Sequence, residues 1–151
     1  VTLEAPDFAI DEAALRAAAA SPRAKMVVLN SPHNPTGHVA SASELASVAA
    51  VCREHDLLAV ADDVYEHCVF GGATHLRLAD VNGMRERTVS LGSGGKLFAL
   101  TGWRVAWATG PKELVQPIGQ AHTHLTFSAP TPLQLGIAAA LDVEDDLDAV
   151  G

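Results

Sequence analysis

Four short apolar runs constrain this chain most. Met26–Leu29, Leu57–Ala61, Thr88–Leu91 and Val105–Ala108 are each too short for a stable helix and read as buried strands. Between them lie segments built as helices. Asp11 caps an alanine-rich stretch ending at Ala20, and Ser41-Ala42-Ser43-Glu44 is a capping box that opens a helix to about His55. Pro111 sits at a tolerated first-turn position of a further helix, in which Pro117 is a candidate kink, and Pro132–Leu141 is helical again. Ser31–Val39, punctuated by Pro32, Pro35 and Gly37, is loop. Alternation of strand and helix predicts an α/β fold with a mostly parallel sheet and helices on both faces. The fourth run is different. Roughly ten residues, Gly92 to Gly102, precede it, and a parallel crossover needs about a dozen or more, so this strand should run antiparallel.

In an open parallel sheet, ligands gather beyond the carboxyl ends of the strands. Three polar motifs fall there: Asn34-Pro35-Thr36-Gly37, Asp62-Asp63-Val64-Tyr65 and Ser93-Gly94-Gly95-Lys96. The third runs on through Leu97-Phe98-Ala99-Leu100-Thr101-Gly102-Trp103-Arg104. It sets a lysine amine between a hydroxyl three residues before it and a guanidinium eight residues after it. Such spacing suits an enzyme that holds a phosphorylated aldehyde. Lys96 would form a Schiff base, while Ser93 and Arg104 would hold the phosphate. A lone lysine is usually a solvated surface residue, a lone serine a turn hydroxyl and a lone arginine a rim ion pair. Their joint spacing argues against all three readings at once. The apolar Leu97–Leu100 flank predicts a partly desolvated, nucleophilic Lys96.

Bulk properties narrow the class. The chain has 151 residues, a net charge of −8 and a pI near 5.2, with no basic stripe. Nucleic acid and anionic membranes are therefore not expected partners. Cys52 and Cys68 lack CxxC or metal-ligand spacing, which fits a reducing, cytoplasmic setting. His122 and His124 are two apart and would face different sides of a helix, and there is no HExxH, so no metal is expected. Trp103 and Trp107 read as core residues of the fourth strand. The last stretch, Glu144 to Gly151, is acidic and weakly patterned.

Taken together, Ser31-Pro32-His33-Asn34-Pro35-Thr36-Gly37, Asp62-Asp63-Val64-Tyr65-Glu66-His67, Gly83-Met84-Arg85-Glu86-Arg87-Thr88 and Gly92-Ser93-Gly94-Gly95-Lys96 resemble the fold-type I aminotransferases that use pyridoxal 5'-phosphate. The branch containing kynurenine/glutamine and succinyldiaminopimelate aminotransferases is the most similar. The resemblance implies that Lys96 carries the cofactor, that Asp62 pairs with its pyridine nitrogen, that Asn34 and Tyr65 bond its phenolic oxygen, and that Ser93 and Arg104 bind its phosphate. It implies ping-pong transfer of an amino group from an amino acid to a 2-oxo acid, in a homodimer. An acidic-chain donor such as succinyldiaminopimelate is expected, with kynurenine or glutamine as alternatives. Three departures stand out. Asp63 replaces a commoner glutamate, Leu97 a small hydroxyl residue and Ala106 a glycine. The family is more than twice as long, so residues 1–151 are expected to be part of its cofactor-binding large domain, without the N-terminal segment and C-terminal small domain. A carbon–sulfur β-lyase would need the same Lys96, Asp62 and Arg104. An aminotransferase-like domain of a transcriptional regulator is a further alternative. A plain nucleotide-binding domain lacks its GxGxxG or P-loop here.

Overall fold

The computed structural model describes residues 1–143, so the acidic stretch from Glu144 to Gly151 lies outside the described residues. Four strands, β1 (Met26–Asn30), β2 (Leu58–Asp62), β3 (Thr88–Ser93) and β4 (Ala106–Thr109), form one sheet in the order β1-β2-β3-β4. β1, β2 and β3 are parallel, and β4 pairs antiparallel with β3. The reversal follows from the connection. Between β3 and β4 there is room only for the four-residue helix α3 (Gly94–Leu97) and a tight turn at Thr101–Trp103. No crossover helix fits in that space.

Helix α1 (Glu12–Ala19) is capped by Asp11, whose side chain accepts from the Ala13 and Ala14 amides. Helix α2 (Ala42–Glu54) opens with the complete Ser41/Glu44 capping box. Both helices pack on one sheet face. Leu15 and Ala19 of α1 meet Leu45, Val48, Val51 and Cys52 of α2 and Ala59 and Ala61 of β2 in one buried core. Burying each leucine there contributes roughly 1.5–3 kcal/mol. Alternate strand residues point the other way. On that face Met26 is 53% exposed, Val28 66% and Leu58 38%.

Helix α4 (Lys112–Leu125) runs through Pro117, and α5 (Thr131–Leu141) carries Pro132 in its first turn. Ile137 of α5 is buried against Gly94, where an added Cβ would lie 2.6 Å from its Cδ1. Trp107 lies in β4 with its indole over Gly92, and a Cβ at Gly92 would overlap that ring. Trp103 departs from the expectation. It sits in the turn before β4, not in the strand, and stacks near Gly136. Both tryptophans are only half-buried. No described helix is long and apolar enough to cross a membrane.

Candidate active site

The last residues of the three parallel strands are Asn30, Asp62 and Ser93. Parallel register places Asn30 beside Asp62, and Asp62 beside Leu91. Each motif therefore starts from a neighbouring strand end, and the turns that follow bring its later residues together.

The turn after β1 is heavily tied. The His33 amide donates to the His38 carbonyl at 2.8 Å, and the Gly37 amide to the His33 carbonyl at 2.7 Å. Gly37 has φ +76°, a conformation that glycine adopts without penalty. The Ser31–Pro32 and Asn34–Pro35 peptide bonds are both cis. Asn34 stands exposed on this turn, and its Nδ2 donates to the Tyr65 hydroxyl at 3.2 Å. Tyr65 in turn lies under Lys96, whose Nζ is 5.2 Å from the ring centroid, within cation–π range. Three of the expected residues, from three strand ends, thus meet directly.

Lys96 is exposed, contrary to the expectation of desolvation. The cause is local. Successive residues of a helical turn point about 100° apart, and in α3 it is Leu97 that turns inward, to 8% exposure. The backbone at Gly95 is close-packed, with a Cβ there meeting Thr101 Cα at 3.1 Å and Ser93 Oγ at 3.3 Å. Thr101 Oγ1 also donates to the Gly95 carbonyl at 3.1 Å. Ser93 precedes α3, yet its hydroxyl makes no capping bond. The Gly94 amide donates to the Val105 carbonyl at 3.2 Å, which brings Arg104 alongside the Ser93–Lys96 turn. Arg104 is exposed and has φ +54°. A left-handed conformation costs a non-glycine residue about 1 kcal/mol or more, and such strain concentrates at functional positions. Its Nη1 donates to the Thr101 carbonyl at 3.3 Å.

Asp62 and Asp63 part company. The Asp62 carboxylate has a buried oxygen, Oδ1, with no hydrogen-bond partner. Asp63 is buried on the other side, where His75 Nε2 lies 3.6 Å from its Oδ1. Its Oδ2, Thr88 Oγ1 and Ser90 Oγ have no partner. Burial pushes the Asp63 carboxyl up to about 6 and lowers His75. A cleft of about 740 Å³ opens there, lined among others by Asp63, Thr88, Ser90 and Trp107. It contains none of Asn34, Asp62, Tyr65, Ser93, Lys96 or Arg104. Of these, Asn34, Lys96 and Arg104 are exposed, and Asp62, Tyr65 and Ser93 are half-buried.

The sequence motifs did not point to Asn30. Its amide joins two of the motifs, and only a cross-strand contact reveals that. Nor did they point to the Asp63–His75 pair, whose members lie on different loops.

An α/β sheet with an antiparallel fourth strand and a lysine-bearing turn at its polar edge is the fold of the aminotransferases. The chain belongs to the aminotransferase class I and II family, which it matches over residues 2–149. It is 46% identical over 138 residues to a protein of Mycobacterium tuberculosis named probable N-succinyldiaminopimelate aminotransferase, covering 91% of this chain and 34% of that protein. It is 43% identical over 128 residues to the kynurenine–oxoglutarate transaminase of Dictyostelium discoideum, covering 83% of this chain and 29% of that one. The solved structure of N-succinyldiaminopimelate aminotransferase from Mycobacterium tuberculosis superposes with a TM-score of 0.91 at 45% identity, over 95% of this chain and 37% of that one. YbdL from Escherichia coli, described as having a methionine aminotransferase function, gives 0.90 at 33% identity, over 97% and 39%. The chain thus spans about a third of the length of these relatives.

Proposed function

We propose that residues 1–151 are part of the cofactor-binding large domain of a pyridoxal 5'-phosphate-dependent aminotransferase. The observation that carries this reading is the convergence of Asn34, Tyr65 and Lys96 from three separate strand ends. The residues also suit the cofactor. A buried carboxylate oxygen without a partner, as at Asp62, is costly unless an N–H meets it, and a protonated pyridine nitrogen supplies one. Ser93 has an uncommitted hydroxyl, and Arg104 has an exposed guanidinium two residues before Ala106, the ladder partner of Ser93.

The bound cofactor supplies an electron-withdrawing ring that acidifies the α-carbon of an amino acid attached to it. Each side chain has a part in using that ring. Asp62 holds the proton on the ring nitrogen. Asn34 and Tyr65, joined by their mutual bond, would donate to the ring oxygen. Ser93 and Arg104 grip the phosphate, the latter bidentately. Lys96 would anchor the cofactor, and its amine would serve as the general base that takes the α-proton. The amino group passes from an amino acid to a 2-oxo acid in two half-reactions.

The proposed donor is an acidic-chain amino acid such as succinyldiaminopimelate, with glutamate as the other donor. The similarity to the mycobacterial protein supports it. The working unit is a cytoplasmic homodimer. Borohydride treatment of the full chain with pyridoxal phosphate tests the assignment. It should fix the cofactor on the peptide containing Lys96. A label on Lys25 or Lys112 would overturn the site.

A further inference from the structure

Asn30 lies at the centre of this site without belonging to any of its motifs. It is the last residue of β1 and partly buried. Its Nδ2 donates to the Asp62 carbonyl at 2.9 Å, and its Oδ1 accepts from the Asn34 amide at 2.8 Å. Both halves of one amide are therefore engaged, with residues 32 and four positions further along the chain. The rotamer is determined by these partners. Turning the amide over would set its oxygen against a carbonyl and its NH₂ against an N–H.

We infer that Asn30 is a positioning residue that fixes the spacing between Asp62 and the Asn34–Tyr65 pair. The inference rests on the cofactor reading above. Two observations separate this role from plain strand pairing. The Asp62 carbonyl already accepts from the Ser31 amide at 3.3 Å, so the Asn30 bond is not needed to complete the ladder. The second bond lies outside the ladder altogether and holds the first residue of the Asn34-Pro35-Thr36-Gly37 turn. From the Asp62 carbonyl the line runs through Asn30 to Asn34, then to the hydroxyl of Tyr65, whose ring lies under Lys96. A change at Asn30 moves the groups addressed to the ring nitrogen and to the ring oxygen relative to each other.

Substitutions divide the two bonds. Asn30→Asp keeps an acceptor for the Asn34 amide and loses the donor to Asp62. Asn30→Ala loses both. The experiment uses the full chain loaded with pyridoxal phosphate and compares these variants with Asn34→Ala and with Asn30→Ala/Asn34→Ala. The readouts are the pH midpoint of the cofactor's visible absorbance, kcat and KM. In Asn30→Ala the midpoint should move in the same direction as in Asn34→Ala, by about half a pH unit or more. Its kcat should fall about tenfold or more with KM nearly unchanged, as expected of misplaced groups. The double variant should move less than the sum of the two singles, because the two residues act on one another. Asn30→Asp should move the midpoint less than Asn30→Ala, and it decides the matter if Asn30→Ala does not fold. An unmoved midpoint in a variant that binds the cofactor, or an additive double variant, overturns the role. A wild-type chain with no visible band and no borohydride adduct at Lys96 overturns the cofactor reading and this inference with it. A normal wild type with unmoved variants overturns this inference alone.

Discussion

Asp62 and Asp63 are adjacent acids whose surroundings assign them different work. Asp62 ends β2 on the face shared with Asn30, and its Oδ1 is buried without a partner. Asp63 turns to the opposite face, near His75. Asp62→Asn should therefore remove most of the catalytic rate while the cofactor stays bound, because the ring loses the charge that holds its proton. Asp63→Asn should do far less. Stopped-flow half-reactions with both variants would decide it, and comparable losses would mean that the acidic pair has been read in the wrong order. Asp63 has a second consequence. Its carboxyl is raised from 3.8 to about 6 by burial, so the folded chain holds that proton more tightly than the unfolded one. It stabilises the fold at low pH, and this contribution is lost as pH rises from about 4 to about 6. The lowered His75 works in the opposite direction as pH rises towards 6.5. The Asp63 part is therefore read as a difference: the wild-type urea midpoint minus that of Asp63→Asn should fall over that window.

Among the elements, Glu44 ties the end of the turn between β1 and α2 to the segment before α1. Its carboxylate accepts from the Ile10 amide at 2.8 Å, from Ser41 through amide and hydroxyl, and lies 2.8 Å from His38 Nε2. Burial would raise its pKa, but these bonds outweigh burial and hold it at about 2. That stabilisation is present above about 4.5 and lost as pH falls towards 2. Glu44→Gln should cost about 1 kcal/mol at neutral pH, as expected for a weakened cap. It should also lose the wild type's acid sensitivity between pH 4.5 and 2, as read from urea midpoints. An unchanged acid slope would show that Glu44 is not its source. The capping box was legible because both partners lie within one turn. The strands and their directions were legible because the apolar runs are short and the last connection is too brief for a crossover; their order in the sheet came from the structure. Ser93, Lys96 and Arg104 were proposed from spacing along one segment, and the Gly94–Val105 backbone bond holds the two ends of that segment together. Helix α3 was not legible, since Gly94 and Gly95 oppose helix formation and only packing against Thr101 and Ile137 holds them there. The exposure of Lys96 was missed because the apolar flank reads as burial, whereas the turn sends only Leu97 inward. Asn30 and His75 were invisible because their partners lie on other strands and loops.

For the molecule as a whole, the decisive fact is how much apolar surface these residues leave open. Met26 and Val28 share a sheet face at 53% and 66% exposure, and Leu125 and Phe127 reach 82% and 78%. Contiguous apolar surface on a lone domain marks a face meant to be covered. Purified residues 1–151 should therefore bind an apolar dye such as ANS and give no turnover with 2-oxoglutarate. Turnover by these residues alone would refute the proposal that they are one part of a larger site. The full chain then bears on the donor. Asn34, Asp62, Tyr65, Ser93, Lys96 and Arg104 are all assigned to the cofactor, which every donor shares, so none of them selects a side chain. Selection must be measured. In a donor panel with 2-oxoglutarate as acceptor, succinyldiaminopimelate should give the largest kcat/KM, with glutamate regenerated as the shared product. A kcat/KM for kynurenine or glutamine well above it would reassign the donor and leave the cofactor chemistry intact. Pyruvate and ammonia released from a cysteine conjugate without any 2-oxo acid acceptor would reassign the reaction itself, to β-elimination. The same Lys96 would then take the α-proton, but the electrons would leave with sulfur and no amino group would reach an acceptor.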